Sequence, residues 1–151
     1  MGTRCITEVK GRWAGRKDWN THAVIYRHWD GYLTGHGRWL ADFLDGMHVV
    51  NGISSNTPTK HANGPGRLAA QIVAELQKDG HEPDLMDGVC DCGQEYHYLI
   101  EVDYSMSGGS INLKVFDGPM TAFGFGGQAC TNEIFSGTVE QFVAFIGEQE
   151  E

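Results

Sequence analysis

The chain has 151 residues, 21 of them glycine, and a formal net charge of −9. That length fits one domain spanning residues 1–151, able to bury about two-thirds of its unfolded surface without staples. No basic stripe exists to release counterions from a nucleic-acid backbone, no apolar run approaches the ~20 residues that cross a bilayer, and the four cysteines do not make a disulfide scaffold. With no charged-then-apolar leader at its start, the chain is expected in a reducing cytoplasm, with neither nucleic acid nor membrane as a direct partner.

In chain order, residues 4–10 and 22–29 read as two strands, rich in β-branched and aromatic types. Asp30-Gly31 then signals a turn, and Trp39, Leu40, Phe43, Leu44 and Met47 give the stripe of a helix over about 37–47. A polar connector, 51–64, leads to a second helix over about 66–78, striped by Leu68, Ile72 and Leu76 and stopped at Gly80. Residues 80–94 read as an acidic loop. Tyr96, Tyr98, Ile100, Val102 and Tyr104 alternate with His97, Leu99, Glu101 and Asp103 in a third strand, and a Gly-rich turn returns the chain into a fourth that carries Ile111, Leu113 and Val115. The stretch 122–127 is too Gly-rich to assign. Thr138 and Gln141 form a capping box before a last helix striped by Val139, Phe142, Val143 and Ile146. The order ββααββα predicts an α+β domain, an antiparallel sheet of about four to five strands with three helices packed on it.

Two segments are near copies: Gly35-His36-Gly37-Arg38 and Gly64-Pro65-Gly66-Arg67, each opening one of the first two helices. Glycines before a helix N-terminus offer free amides at the positive end of the dipole, the elements of an anion site. An arginine in the first turn is electrostatically out of place there unless something negative sits nearby. Around the first opening lie Tyr26, Arg27, His28, Trp29, Asp30 and Tyr32. Aromatic faces can stack on a base, and arginine can clamp a phosphate in two places. The candidate ligand site therefore comprises Tyr26, Arg27, His28, Trp29, Asp30, Tyr32, Gly35, His36, Gly37, Arg38, Asn63, Gly64, Gly66 and Arg67. The bland alternative is that the aromatics are core and the glycines serve turns, with Asn63 capping the second helix. The angle between the two helices is not set by sequence, so the openings converge or point apart.

Neither opening is a Walker loop or a dinucleotide fingerprint. His28 and His36 with Asp30 offer acid, base and orienting carboxylate for phosphodiester cleavage, but no hydrolase signature accompanies them. Cys90-Asp91-Cys92 is a single tight pair where structural zinc usually shows two, so neither metal nor cofactor is expected.

Met1-Gly2-Thr3-Arg4, Tyr26-Arg27-His28-Trp29-Asp30-Gly31-Tyr32, Gly35-His36-Gly37, Leu40-Ala41-Asp42-Phe43-Leu44, Val50-Asn51-Gly52-Ile53, Asn63-Gly64 and Leu68-Ala69-Ala70-Gln71 occur in that order over roughly residues 1 to 104. The pattern resembles a family of small uncharacterised proteins carried by phages, prophages and other mobile elements. Members tend to have Gln in place of His28 and Pro in place of Leu33, and Arg67 is not a family position. The resemblance implies an accessory protein that antagonises host defence by capturing a nucleotide immune signal, by cleaving it, or by covering a defence effector in the manner of an anti-CRISPR. The residues favour capture without turnover, by a monomer or a homo-oligomer. The charge of −9 keeps a basic host defence protein as the alternative partner.

Overall fold

The computed structural model describes residues 2–52, 57–89, 93–118 and 130–150. Its strands are β1 (Cys5–Trp13), β2 (Asn20–Arg27), β3 (His48–Val50), β4 (His61–Asn63), β5 (Asp84–Met86), β6 (Tyr96–Ser105), β7 (Gly108–Asp117) and β8 (Asn132–Thr138). The helices are α1 (Arg38–Leu44), α2 (Gly64–Lys78) and α3 (Val139–Gln149), and a single π-helical turn, Leu33–Gly37, runs into α1. Residues 122–127, unassigned from sequence, lie outside the described residues, as do Cys90 and Cys92.

The strands form one eight-stranded sheet in the order β4-β3-β7-β6-β1-β2-β5, with β8 also paired to β7. This corrects the expected antiparallel sheet of four to five strands: the sheet is mixed, curled into a half-barrel, and dominates the three short helices. Besides β8, which no expected strand covered, two features escaped the local pattern. β1 and β6 pair in parallel, Cys5 against Tyr96 through Trp13 against Tyr104. Parallel strands need a long crossover, so no turn signal announces them. β3, β4 and β5 have three residues each; β3 falls between the expected first helix and the connector, and β4 and β5 lie inside stretches that read as a polar connector and an acidic loop. Pairing with neighbouring strands, not their own periodicity, makes them strands.

One face of the sheet receives all three helices. Val9, Ile25, Tyr98, Ile100, Val102, Leu113 and Val115 point into a core shared with Leu40 and Leu44 of α1, Leu68, Ile72 and Leu76 of α2, and Phe142 and Ile146 of α3. The α2 stripe is fully buried, worth about 1.5–3 kcal/mol per side chain. α3 begins on the capping box foreseen at Thr138 and Gln141, with both reciprocal bonds made. The opposite face carries ion pairs along the strands: Glu8 with His97 at 3.0 Å, Arg12 with Asp103 at 2.8 Å, and Lys114 with Glu101 at 3.9 Å. Burial pushes the Glu8 carboxyl up, but hydrogen bonding to His97 and the charge of Lys10 outweigh it and hold Glu8 below the usual carboxylate range. Among the described residues no helix is long and apolar enough to cross a membrane.

Two glycines test the packing in opposite directions. A Cβ on Gly35, in the π turn, would lie 2.5 Å from the Asp30 carbonyl oxygen, which is backbone and cannot step aside. Gly147, in the last turns of α3, meets nothing within 4 Å. Gly35→Ala is expected to cost about 1–3 kcal/mol and Gly147→Ala to add about 0.5–1 kcal/mol, both read from urea unfolding midpoints.

Candidate functional site

Strand β2 divides the cluster that the sequence places around the first helix opening. Arg27 faces the helices and is buried, whereas Tyr26 is on the opposite face, its hydroxyl 2.7 Å from His28 Nδ1. Trp29 packs edge-on against His28 at 5.9 Å. His36 sits wholly buried on the helix side. His28 and His36 therefore lie on opposite sides of the strand and cannot flank one phosphodiester. That arrangement removes the geometry that cleavage would require.

His36 is the centre of a buried chain of polar groups. Arg27 Nη1 donates to its Nδ1 at 3.2 Å, so the ring proton is on Nε2, which faces Thr7 Oγ1 at 2.7 Å. Arg27 Nη2 donates to His81 Nδ1 at 3.1 Å, and Asp30 Oδ2 stands 3.9 Å away. Among the described residues, Arg27 Nε is buried without a partner. Burial first, then the charge of Arg27, pushes the His36 pKa down to about 3. The same two causes lower His81. On its other side the His36 ring stacks on Trp39, centroids 5.7 Å apart, and Trp39 Nε1 donates to Asp79 at 2.8 Å. Thr7 and His81, which no motif signalled, complete the chain.

The first Gly-x-Gly opening is closed by the protein itself. The amides of Gly35 and Gly37 donate to the Tyr32 carbonyl and that of His36 to the Asp30 carbonyl. Gly31 is equally internal: its amide donates to Thr3 and its carbonyl accepts from Tyr98 Oη. Gly37 is a close-packing residue, because a Cβ there would come within 2.8 Å of Ile146. Arg38 is held by Asp42, at 3.3 Å, and by Glu150. Its first-turn position is thus matched by the chain's own carboxylates.

The second opening is different. Asn63 does not cap α2: its Oδ1 accepts from the Gly52 amide at 2.7 Å and makes no bond to the helix start. The expected capping role is thereby corrected. Gly64 takes φ +85°, Pro65 is buried in the first turn, and Arg67 is exposed with no ion pair among the described residues. His22 joins them. The register between β1 and β2 slips between Val9 and Lys10, leaving His22 outside the pairing, and its ring lies beside Gly11 and Gly66, with Pro65 also over Gly11. A shallow hollow of about 290 Å³ runs from His22 and Gly66 along Ala70 and Val73 to Leu85 and Met86. His22 was missed because a β-bulge is a pairing event, invisible in one strand alone.

The two openings do not meet. Trp39, beside Arg38, bonds to Asp79 just past the end of α2. The helix between Gly66 and Asp79 rises about 1.5 Å per residue, which puts the openings roughly 20 Å apart. Tyr32 and Trp29, 41% and 38% exposed, belong with the first opening and not the second. Among the described residues, no group of three His, Cys, Asp or Glu is placed to hold a metal ion.

Because both imidazoles must be neutral to accept from Arg27, the fold is linked to pH. The folded pKa of His36 is below its unfolded value, so its contribution is complete above about pH 6.5 and is lost as pH falls toward 3. Stability should fall with acidification by up to about 1.4 kcal/mol per pH unit for this group. His36→Asn, which keeps an acceptor for Arg27 but cannot protonate, should be less stable at neutral pH and show a flatter profile of melting temperature against pH.

No family model, no curated protein and no solved structure matches this chain.

Proposed function

We propose that the protein binds a phosphate-bearing small molecule, a nucleotide by class, and holds it unchanged. The observation that carries this reading is the start of α2. A helix N-terminus without a side-chain cap, and an exposed arginine in its first turn, set two positive features together, and among the described residues no carboxylate pairs with that arginine. A phosphate would accept from the first-turn amides and from Arg67, meeting both at once. Gly66 matters because only a residue without a side chain lets an anion approach the backbone beside His22. The apolar flank of Val73, Leu85 and Met86 would take a base or ribose, and the small volume of the hollow restricts it to one nucleotide-sized group.

Capture rather than cleavage is favoured by what surrounds the candidate bases. His36 is enclosed and neutral, and His28 is turned to the other side of β2. A protein of this kind would act by removing a signalling nucleotide from solution. The resemblance to mobile-element proteins gives that act a setting, the antagonism of a host defence that signals with nucleotides.

The test is a panel of cyclic and linear nucleotides in isothermal titration, followed by heat release and mass analysis of the bound molecule. Intact ligand should be recovered. Arg67→Ala should weaken binding by about tenfold to a hundredfold, the loss of one charge-assisted contact. Arg38→Ala, whose partners are internal, should leave affinity unchanged. Wild-type affinity in Arg67→Ala, or recovery of a hydrolysed product, would overturn the proposal.

A further inference from the structure

The parallel union of β1 with β6 brings two hairpin tips to one end of the sheet. Trp13 and Tyr104 are the last pair of that ladder, and the Ala14 amide reaches on to the Tyr104 carbonyl at 2.8 Å. The turn from β1 into β2, residues 14–19, therefore lies beside the turn of Met106 and Ser107 between β6 and β7. The start of α2 adjoins the same end, since Pro65 lies over Gly11.

Charge is shared unevenly between the two ends of these strands. At the far end, where β1 and β6 begin, stand Asp30, Asp84, Glu95, Asp117 and Glu133. Around the tips are Arg16 and Lys17, both exposed, with Asp18 beside them, and Arg67 adds to the same end. None of these three cations has an ion pair among the described residues, whereas Arg12 is matched by Asp103 and lies over the Trp19 ring. Strands of 9 and 10 residues span roughly 30 Å, more than about three Debye lengths at physiological salt. The far carboxylates therefore do not cancel the field at the tips, and the net charge of −9 is an average over two unlike ends. The tips are also apolar. Met106 is 77% exposed in one turn, where Asn51 Nδ2 donates to its Sδ and to the Ser105 carbonyl. Trp13, 36% exposed, stands edge-to-face with Tyr104 at the base of the other, centroids 5.0 Å apart.

We infer that this end of the molecule docks on an anionic lipid bilayer, with Met106 and Trp13 in the interface and Arg16 and Lys17 among the headgroups. An indole suits the boundary between water and hydrocarbon, and an exposed methionine beside it gains by leaving water. Each Lys or Arg near an anionic surface strengthens attachment by about fivefold. A fluid interface takes in two separate knobs without needing hollows to match them. A nucleic acid would meet the cations and stack on Trp13, yet leave Met106 in water. None of these four residues belongs to the nucleotide site proposed at the start of α2.

The experiment sediments the full chain with extruded vesicles of phosphatidylcholine, either alone or with phosphatidylserine as roughly a third of the lipid. Binding should require phosphatidylserine and weaken with salt. Arg16→Glu with Lys17→Glu should weaken it by about tenfold or more, and Met106→Ser by several-fold. Lys78→Glu with Lys114→Glu, the same change of charge placed away from the tips, should alter it by less than about twofold. Brominated acyl chains should quench tryptophan fluorescence, and quench it less in Trp13→Phe. Absence of sedimentation, equal weakening by the control pair, or indifference to both Met106 and Trp13 would overturn the assignment. Binding of an oligothymidine in place of the vesicles would overturn it in favour of a nucleic-acid contact. Circular dichroism of each variant separates loss of docking from loss of fold, and nucleotide affinity should be unaffected by the tip variants.

Discussion

The arrangement turns on a buried positive charge. Arg27 enters the helix-covered side of the sheet with its nearest carboxylate, Asp30, 3.9 Å away and half exposed. Taking a guanidinium out of water costs several kcal/mol even after relaxation, and here the offset comes from hydrogen bonds to two neutral imidazoles, with one nitrogen left over. Such bonds are stronger than neutral ones because the donor is charged. They are also directional, so each fixes its acceptor. His36 is fixed at the turn into α1 and His81 just beyond α2. One side chain on one strand therefore sets where two helices sit relative to the sheet.

Much of the local geometry follows from that placement. To bring His36 beneath Arg27, the chain makes a π-helical turn whose amides are spent on Asp30 and Tyr32 carbonyls. The turn is tight enough that Gly35 and Gly37 cannot carry a Cβ without displacing neighbours. Trp39 then extends the stack outward to Phe43 and reaches Asp79. A buried structural network and a half-buried row of aromatic rings are thus one continuous object.

The near-identity of the two glycine-arginine segments shows how one short motif acquires different roles. In the first, the glycines admit close packing by protein atoms and the arginine is matched by Asp42 and Glu150. In the second, the start has no side-chain cap, the arginine has no ion pair among the described residues, and a bulge brings in His22. Residue type specifies what a turn can accept. Whether the accepted group is the protein's own carbonyl and carboxylate or something from outside depends on what the rest of the fold brings to that place.

By itself the sequence determined the elements whose signals are local. Alternation marked β6, the stripes marked α1, α2 and α3, and Thr138 with Gln141 announced a helix start, because capping and amphipathicity act within a turn or two of chain. The sequence also singled out Arg38 and Arg67 as charges needing an explanation and placed Arg27 and His36 in the candidate cluster. Tertiary structure alone decided the rest: the parallel union of β1 with β6, the short strands β3 to β5, the side of β2 on which each cluster residue falls, and the separation of the two openings by the length of α2. Each of these depends on contacts between residues far apart in the chain, and a strand's own alternation does not say which distant strand it pairs with or in which direction.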